Sequence, residues 1–403
     1  MSAKPNVADI IRAYNAGREP ERLTMKLATM RATPFGFLRG SAHLYWQRVL
    51  QAGVAATAPP AWCSGDQHLE NFGTYRGDNG LVYFDLNDFD EAALAPCDWE
   101  ILRLLTSILI AAPSLHLTKA DARELAKLVA NAYRHELTIG KARWIERKTA
   151  TGAIDTLMAA LKKRRQTRLL DRRTVLKKGQ RHLDPDSTRM LPVADPDRAA
   201  LQRFATALAK THGADNYFTL IDAARRIAGT GSLGMSRFVL LLEGTGSPEG
   251  NVLLDLKAAS ASSMVGIPGI VQPKWSNDAE RIVAIQQRCQ AIAPGQLRAV
   301  PFEGKSYVLK ELQPDADRLN LARIAADREQ LADAFQTMGH LVAWAQLRSS
   351  GRDGSAPADG LISFAKGEPG MATRLVGTAR DMAAIVLEDY HAFCEEADVT
   401  ARK

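Results

Sequence analysis

The stretch Ser64-Gly-Asp-Gln-His-Leu-Glu-Asn-Phe-Gly73 and the later stretch Tyr83-Phe-Asp-Leu-Asn-Asp-Phe-Asp-Glu91 decide how we interpret this chain. No other segment places so many carboxylates, amides and a histidine between apolar residues. Asp66 and Asn71 stand five residues apart, and Asp88 precedes Phe89 just after a strand-like run.

The residue types in this stretch are those that phosphate transfer requires. Such a site needs a carboxylate that orients the attacking hydroxyl, and an amide and a second carboxylate that hold magnesium. Asp66 suits the first role, and Asn71 and Asp88 suit the second. Three further residues of the stretch are candidates for catalysis or for structural hydrogen bonds: His68, Asp85 and Asp90.

The composition is that of an ordinary globular protein. The chain has 403 residues, of which 46% are apolar and 24% charged, so it is long enough for one large or two ordinary domains. No apolar run is long enough to span a membrane, and the N-terminus lacks a secretory pattern. The four cysteines are scattered without zinc-like spacing. We therefore expect a cytoplasmic protein with no membrane partner.

The formal charge of +7 has one main source, the basic run from Lys162 to Arg181. A run of this kind favours nucleic acid, anionic lipid or an acidic substrate, and the alternative is a solvated helix face. The run contains no aromatic residue, which argues against stacking on single-stranded nucleic acid. We expect an anionic acceptor rather than a nucleic-acid partner.

Apolar periodicity and turn residues predict the secondary structure. Two helices are expected between Val7 and Met30, then a packed turn at residues 33–40 that opens a helix to about residue 51. Asp98 is expected to cap a helix, and Thr118 a second one that continues to about residue 148. The Gly77-Asp-Asn-Gly80 turn before the strand-like run Leu81–Phe84 predicts a β-hairpin. Residues 182–197 resemble an irregular loop. Further helices are expected near residues 277–291, 321–347 and 372–397.

A glycine-rich loop opens a β-hairpin in the middle of the chain. Gly229, Gly231 and Gly234 satisfy G-x-G-x-x-G, with Ser232 between them, and an apolar strand follows. A dinucleotide fold requires such a loop to lead into a helix, whereas the phosphate-covering loop of a kinase leads into a strand. Lys257 lies on the second strand that follows and is placed to reach nucleotide phosphates. The alternative is a flexible hairpin with an incidental lysine.

One competing interpretation is a two-metal phosphoesterase. Gly65-Asp-Gln-His68 and Gly77-Asp-Asn resemble parts of such a site, in which aspartate and histidine bind two metal ions. That class needs further histidine ligands in a Gly-Asn-His context. None of the downstream histidines has such neighbours.

The chain resembles the domain-of-unknown-function (DUF) 2252 family, itself similar to protein kinases and aminoglycoside phosphotransferases. The resemblance covers most of the chain and is carried by these segments: Pro34–Gly40, Gly65–Gly73, Phe84–Glu91, Asp98–Arg103, Gly229–Gly234 and Leu256–Ala259. It implies ATP and magnesium as cofactors. It does not identify the acceptor, which is a small molecule or a protein.

The order of the motifs predicts an α+β, protein-kinase-like two-lobe fold that is circularly permuted. In an ordinary kinase the glycine loop and lysine precede the catalytic aspartate, and here they follow it. A small antiparallel β lobe at 214–313 is therefore expected inside a mainly helical lobe formed by 1–213 and 314–403. Backbone groups near Glu311, Leu312 and Gln313 would hold the adenine at the hinge between the lobes.

Several positions depart from the resembled pattern. Ser64 stands where aminoglycoside-type enzymes have a histidine, and Asp90 stands where kinases have the glycine of Asp-Phe-Gly. The glutamate that would pair with Lys257 is not evident, although Glu280 lies in a plausible helix. Asp98 is expected to support the Asp66 loop from a helix start. Nucleotidyl transfer and a nucleotide-binding pseudokinase therefore stay open as alternatives to a phosphotransferase.

Overall fold

Four short helices begin the chain in the computed structural model, which describes residues 6–162, 167–184, 188–214, 216–313 and 318–401. The helices are α1 (Val7–Tyr14), α2 (Pro20–Ala32), α3 (Pro34–Gly40) and α4 (Ala42–Gln51). Asn6 caps α1 by accepting a hydrogen bond from the Asp9 N–H at 2.8 Å. The expected pair of helices up to Met30 is confirmed. The packed turn at 33–40 proves to be a helix itself, capped by Thr33.

Two small antiparallel sheets carry the opening stretch. Their strands are β1 (Pro60–Cys63), β2 (Phe72–Arg76), β3 (Val82–Leu86), β4 (Ala93–Pro96) and β5 (Ile145–Glu146). Strand β1 pairs with β4, while β3 pairs with both β2 and β5. The turn Gly77–Gly80 closes the predicted β2–β3 hairpin. The loop after β1 and the loop after β3 are thereby held side by side.

Buried helices form the largest part of the molecule. They are α5 (Cys97–Ala111), α6 (Lys119–Ile139), α7 (Gly152–Lys162), α8 (Thr167–Arg173), α11 (Leu321–Ile324), α12 (Arg328–Arg348), α13 (Ala358–Gly367) and α14 (Met371–Ala401). One hydrophobic cluster joins residues before position 160 with residues after position 318. Thr118 caps α6 as expected, but the helix ends at Ile139 because Gly140 adopts φ +72°.

The expectation that Asp98 caps α5 is wrong. Pro96 occupies the cap position, and Asp98 lies inside the first turn. The Asp98 carboxylate accepts a hydrogen bond from Arg374 of α14 at 3.1 Å. Asp98 therefore joins two helices and does not support the loop that contains Asp66.

A six-stranded antiparallel sheet forms the second layer. It contains β8 (Met190–Leu191), β9 (Leu220–Arg226), β10 (Arg237–Leu242), β11 (Val252–Ala258), β12 (Arg298–Phe302) and β13 (Lys305–Glu311), after a separate hairpin of β6 (Thr174–Lys177) and β7 (Gln180–Leu183). The strand order is β12-β13-β11-β10-β9-β8. Helix α9 (Asp195–His212) packs on one face, and α10 (Asp278–Cys289) connects β11 to β12.

The region predicted as an irregular loop at 182–197 contains regular structure. It includes the end of β7, the two residues of β8 and the first turn of α9. Pro196 suggested a loop, but it lies in the first turn of α9, where its missing N–H costs no helical hydrogen bond. The sheet thus begins upstream of the predicted boundary at residue 214.

The mixed α+β class with small antiparallel sheets is confirmed. No helix in the described ranges has both the length and the apolar character that a membrane crossing needs. Three of the four cysteines are buried, and Cys394 is partly exposed.

Candidate functional site

The Asp66 loop, residues 64–71 between β1 and β2, is shaped by one glycine. Gly65 adopts φ +85°, and a Cβ at this position would overlap the carbonyl oxygen of Glu91. Only glycine allows this backbone angle together with so close an approach. The Gly65 carbonyl also accepts a hydrogen bond from the Trp46 indole at 2.8 Å. The two polar stretches are thereby fixed against each other.

Asp66 is held by a buried arginine from α5. Arg103 Nε donates to Asp66 Oδ1 at 2.8 Å, and Arg103 Nη2 donates to the same oxygen. The Arg103 side chain is fully buried, stacks over the Tyr45 ring at 4.5 Å and donates to the Leu38 carbonyl at 3.0 Å. Because both guanidinium bonds fall on Oδ1, they orient the carboxyl group without engaging Oδ2.

The pKa of Asp66 lies well above that of an exposed aspartate. Burial raises it to about 6, although the Arg103 guanidinium favours the charged form. The carboxylates of Glu91 and Asp88 raise the pKa further. At pH 7 Asp66 is therefore charged but close enough to its pKa to accept a proton.

Asn71 and His68 complete the Asp66 loop. Asn71 Nδ2 donates to the Asp66 carbonyl at 2.7 Å, and the Asn71 N–H donates to the His68 carbonyl at 2.9 Å. His68 Nδ1 accepts from the Glu70 N–H at 3.1 Å. Burial and nearby arginines lower the pKa of His68 well below its usual value, so the ring is neutral. These contacts give His68 a structural role at the cavity wall.

The Asp88 loop, residues 87–92 between β3 and β4, supplies the second carboxylate. Burial opposes the charged form of Asp88, but Lys257, Lys310 and Arg237 outweigh it and lower the pKa. Asp85, at the end of β3, lies elsewhere: its carboxylate accepts from Arg348 of α12 at 2.9 Å. Asp88 is thus available for a ligand, whereas Asp85 is committed to a structural ion pair.

The glycine loop, residues 227–236, connects β9 to β10. Gly229 adopts φ +74° and Gly234 φ +87°, and a Cβ on Gly234 would lie 2.9 Å from Arg18 Cβ. Gly231 has no such backbone constraint, and Ser232 Oγ donates to the Ala228 carbonyl at 3.4 Å. The loop leads into a strand, as the sequence predicts.

Lys257 forms an ion pair with Asp90 of the Asp88 loop. Glu280, the plausible partner on α10, is exposed at the N-terminus of that helix. The residues of α10 that line the cavity beside Lys257 are Ile282 and Gln286. The lysine is therefore held across the two layers by the aspartate that replaces the expected glycine.

A buried charge cluster lies next to Lys257 on β11. On β11, Leu254 and Leu256 face the apolar residues beneath α9. Asp255 and Lys257 lie on the opposite face of the sheet. Asp255 accepts from Arg226 at 2.6 Å and from Arg237 at 2.8 Å. The two arginines, despite burial, hold the pKa of Asp255 well below its usual range.

We expect Asp255→Asn to lower the free energy of unfolding by about 3–5 kcal/mol, because it leaves two buried guanidinium groups without a counter-charge. The folded-state pKa of Asp255 is depressed, so its contribution is present above the unfolded pKa of about 3.9 and is lost as the pH falls below it. Urea unfolding at pH 7 and at pH 3 measures both effects.

The matched control is Asp381→Asn, which breaks an exposed pair with Arg380. It should change stability by no more than about 0.5 kcal/mol. Equal midpoints for Asp255→Asn and the wild type would contradict the prediction.

Two adjoining cavities bring the polar stretches and the glycine loop together. The Asp66 cavity, of about 50 Å³, is lined by Asp66, His68, Gly231 and Ser232, among others. The Lys257 cavity, of about 160 Å³, is lined by Lys257, Lys310 and Gln313, among others. The residues that line both are Asn71, Asp88, Asp90, Gly229 and Arg318. Most of the site residues named from the sequence thus surround one continuous polar region, whereas Gly234, Glu311 and Leu312 line neither cavity.

The expected hinge residues lie beside this region with their N–H groups already used. The Glu311 N–H donates to the Gly295 carbonyl at 3.0 Å, and the Leu312 N–H donates to the Leu253 carbonyl at 2.9 Å. Neither residue lines the Lys257 cavity, whereas Gln313 does. In this segment, contacts to an adenine would therefore come from Gln313 and from backbone carbonyl groups.

The side chains of this region could bind magnesium only together with oxygen atoms of a bound ligand. No group of three or more His, Cys, Asp and Glu residues within the described ranges could hold a metal ion. Magnesium at nucleotide sites is typically bound by one or two carboxylates together with phosphate oxygens. Asp88 and the Asn71 amide oxygen fit that pattern. Asn87 lines the same region, and its buried Oδ1 has no partner among the described residues.

The sequence analysis did not identify several residues that position the Asp66 loop or line the cavities. Arg103 orients Asp66, while Glu100 accepts from the Ser64 N–H at 2.5 Å and from the Ser64 hydroxyl. Both lie on α5 among apolar residues, and a charge in such a helix is the signal that could have identified them. Lys310 and Arg318 have no comparable signal in the sequence.

The basic run lies only partly within the described residues. Positions 163–166 fall outside the described ranges. Arg181 is buried, and it pairs with Asp171 at 2.8 Å and donates to the Pro248 carbonyl at 2.8 Å. Arg181 is thus a structural residue rather than part of an exposed basic surface.

Comparison with known proteins identifies one family. The family model described as "Uncharacterized protein conserved in bacteria (DUF2252)" matches residues 18–396. No curated protein and no solved structure matches the chain.

Proposed function

The chain belongs to the DUF2252 family, and we propose that it is a phosphotransferase of permuted kinase-like architecture that uses ATP and magnesium. One observation carries the proposal: Asp66, Asn71 and Asp88 share a polar region with the glycine loop, and Lys257 lies at its other side. A base, metal ligands and phosphate-binding groups are the parts that phosphoryl transfer requires.

Asp66 serves as the base for the acceptor hydroxyl. The acceptor oxygen bonds to the γ-phosphorus, the bond from that phosphorus to the bridging oxygen breaks, and the hydroxyl proton passes to Asp66. Arg103 holds Asp66 Oδ1 and leaves Oδ2 to take the proton. With a pKa of about 6, the carboxylate is charged at neutral pH and suited to this role.

Lys257 and the glycine-loop backbone position the nucleotide phosphates. The order of the local elements supports this role, since the glycine loop precedes β10, Lys257 lies on the next strand β11, and α10 follows. Lys310 and Arg237 add positive charge to the same cavity. A nucleotide phosphate there would be neutralised from several sides.

Asp88 and Asn71 are the residues that would hold magnesium, and Asn87 is a further candidate because of its unpartnered amide oxygen. Magnesium held there would offset the negative charge that develops on the phosphates during transfer. The circular permutation itself is compatible with this chemistry, because a site depends on spatial arrangement rather than chain order.

The test uses ATP labelled separately at the α and γ positions. With magnesium and a cell-extract fraction as acceptor source, we expect γ-label to be transferred and α-label not. Asp88→Ala should lower transfer by about 10²-fold or more, since it removes a metal ligand. Asp78→Ala, at an exposed turn in the neighbouring hairpin, is the matched control and should leave transfer unchanged.

Each other outcome points to a different function. Transfer of α-label would identify a nucleotidyltransferase. Calorimetric ATP binding without transfer would identify a binding-only pseudokinase, a candidate that the Lys257–Asp90 pair favours because it neutralises the lysine. Absence of ATP binding at millimolar magnesium would overturn the proposal.

A further inference from the structure

The Asp66 cavity is lined by cations that come from the first forty residues. Arg18 precedes α2, Lys26 lies on α2 and Arg39 lies on α3, and all three line the cavity that contains Asp66. None of them lines the Lys257 cavity. Apart from Arg318, which lines both cavities, the nucleotide side and the Asp66 side therefore have separate sets of cations.

Lys26 is the most buried of these cations. Its residue exposure is 0%, and Nζ donates to the Gly231 carbonyl at 2.9 Å. No carboxylate among the described residues forms an ion pair with Lys26. Burial lowers the pKa of Lys26 well below its usual value; Arg18 acts in the same direction, while Asp66 and Glu91 oppose it. An anion beside the Lys26 amino group would stabilise its charged ammonium form.

Arg18 likewise forms no ion pair among the described residues, and Arg39 keeps one donor free. Arg18 Nη1 donates to two backbone carbonyls, Gly231 at 2.6 Å and Leu233 at 2.9 Å. Arg39 pairs with Glu70 at 2.7 Å, and its buried Nε has no partner among the described residues. Neutral carbonyls satisfy donors but do not cancel charge.

Of the carboxylates that line the cavity, Asp66, Asp90 and Glu91 already have partners, and Asp88 is the one proposed to hold magnesium. Asp66 is paired with Arg103, and Asp90 with Lys257. Glu91 Oε1 accepts from the Tyr14 hydroxyl at 3.1 Å and Oε2 accepts from the Ser263 N–H at 2.6 Å. Glu91 and Asp90 partly offset the charge of Arg18, but they do not reach Lys26 or Arg39 as ion-pair partners.

We propose that Arg18, Lys26 and Arg39 bind an anionic group, a phosphate or a carboxylate, on the acceptor that Asp66 activates. This inference rests on the proposed function, which it deepens by naming the acceptor class: a hydroxyl compound that carries a negative charge. A cationic amino sugar, which the similarity to aminoglycoside phosphotransferases would suggest, is repelled by the same three side chains.

The same anion chemistry could come from the terminal phosphate of the nucleotide. The cavity linings favour the acceptor, because Lys257 and Lys310 line only the other cavity while Arg18 and Lys26 line only the one with Asp66. The experiment therefore has to fill the nucleotide side first.

Inorganic phosphate serves as the probe, titrated by calorimetry into the full-length protein saturated with magnesium and a non-hydrolysable ATP analogue. The test variants are Arg18→Gln and Lys26→Met, and Arg18→Lys is the charge-preserving control. Thermal unfolding verifies that each variant is folded. We expect phosphate to bind the nucleotide complex, with affinity reduced by about tenfold or more in both test variants and largely kept in Arg18→Lys.

Three results would overturn the inference: no phosphate binding, binding that Arg18→Gln and Lys26→Met leave unchanged, or competition between phosphate and the ATP analogue. The last would assign the cations to the nucleotide. If the analogue does not bind at all, the proposed function fails separately. Phosphate titration of the nucleotide-free protein and its variants then still decides whether the anion site exists.

Discussion

Transfer of the γ-phosphate should fall about tenfold for each pH unit below pH 6, and Asp66→Asn should lower kcat/KM by about 10²–10⁴-fold at pH 7.5. The first effect follows from the pKa of about 6 that burial gives Asp66. Only the charged carboxylate accepts the hydroxyl proton, and kcat/KM reports the pKa of the free protein. Asparagine keeps a hydrogen-bond acceptor for Arg103 but cannot take the proton.

The measurement is a pH profile of kcat/KM for label transfer in the wild type and in Glu100→Gln. Glu100 needs this control because burial raises its own pKa to about 7, and it touches the Asp66 loop through Ser64. An acidic limb that persists near pH 6 in Glu100→Gln assigns the limb to Asp66. A limb that disappears in that variant, or full activity in Asp66→Asn, would refute the base role.

Arg103→Met should lower the free energy of unfolding by about 3–5 kcal/mol. The substitution removes the hydrogen bonds to Asp66 Oδ1 and to the Leu38 carbonyl, and it removes the cation that stacks on Tyr45 at 4.5 Å. It leaves a largely buried carboxylate without its partner. The pKa of Asp66 should then rise, so the acidic limb of the pH profile should move to higher pH.

Urea unfolding of Arg103→Met, Asp66→Ala and the double variant measures the coupling between the two residues. The double variant should be less destabilised than the sum of the single variants, because it leaves neither charge buried alone. Arg380→Met, which breaks an exposed pair, is the control and should cost no more than about 0.5 kcal/mol. Additive losses would show that the pair contributes no specific coupling.

Local sequence patterns predicted local structure well where a turn residue is decisive. The Gly77–Gly80 turn closes the predicted hairpin, and Thr118 caps the predicted helix. The same patterns failed for α9, whose first turn contains a proline that also suits a loop. A short element such as β8 is specified by its pairing with β9 rather than by its own two residues.

Part of the membership of the candidate site could be predicted from the sequence, but the pairings of its side chains could not. Asp66, Asn71 and Asp88 line one polar region, as the sequence suggested. The partner of Lys257 is Asp90 rather than a helix glutamate, and Asp98 pairs with Arg374 far along the chain. These pairings depend on which segments the fold brings together, and the spacing of residues within one stretch does not predict them.

The Lys257–Asp90 ion pair has a consequence for the order in which ligands bind. Under the proposed function, ATP without magnesium would meet a lysine whose charge is already paired and a carboxylate that repels its phosphates. Magnesium bound to the nucleotide would offset that repulsion. The Lys257–Asp90 pair would then favour the metal-bound form of the nucleotide over the free form.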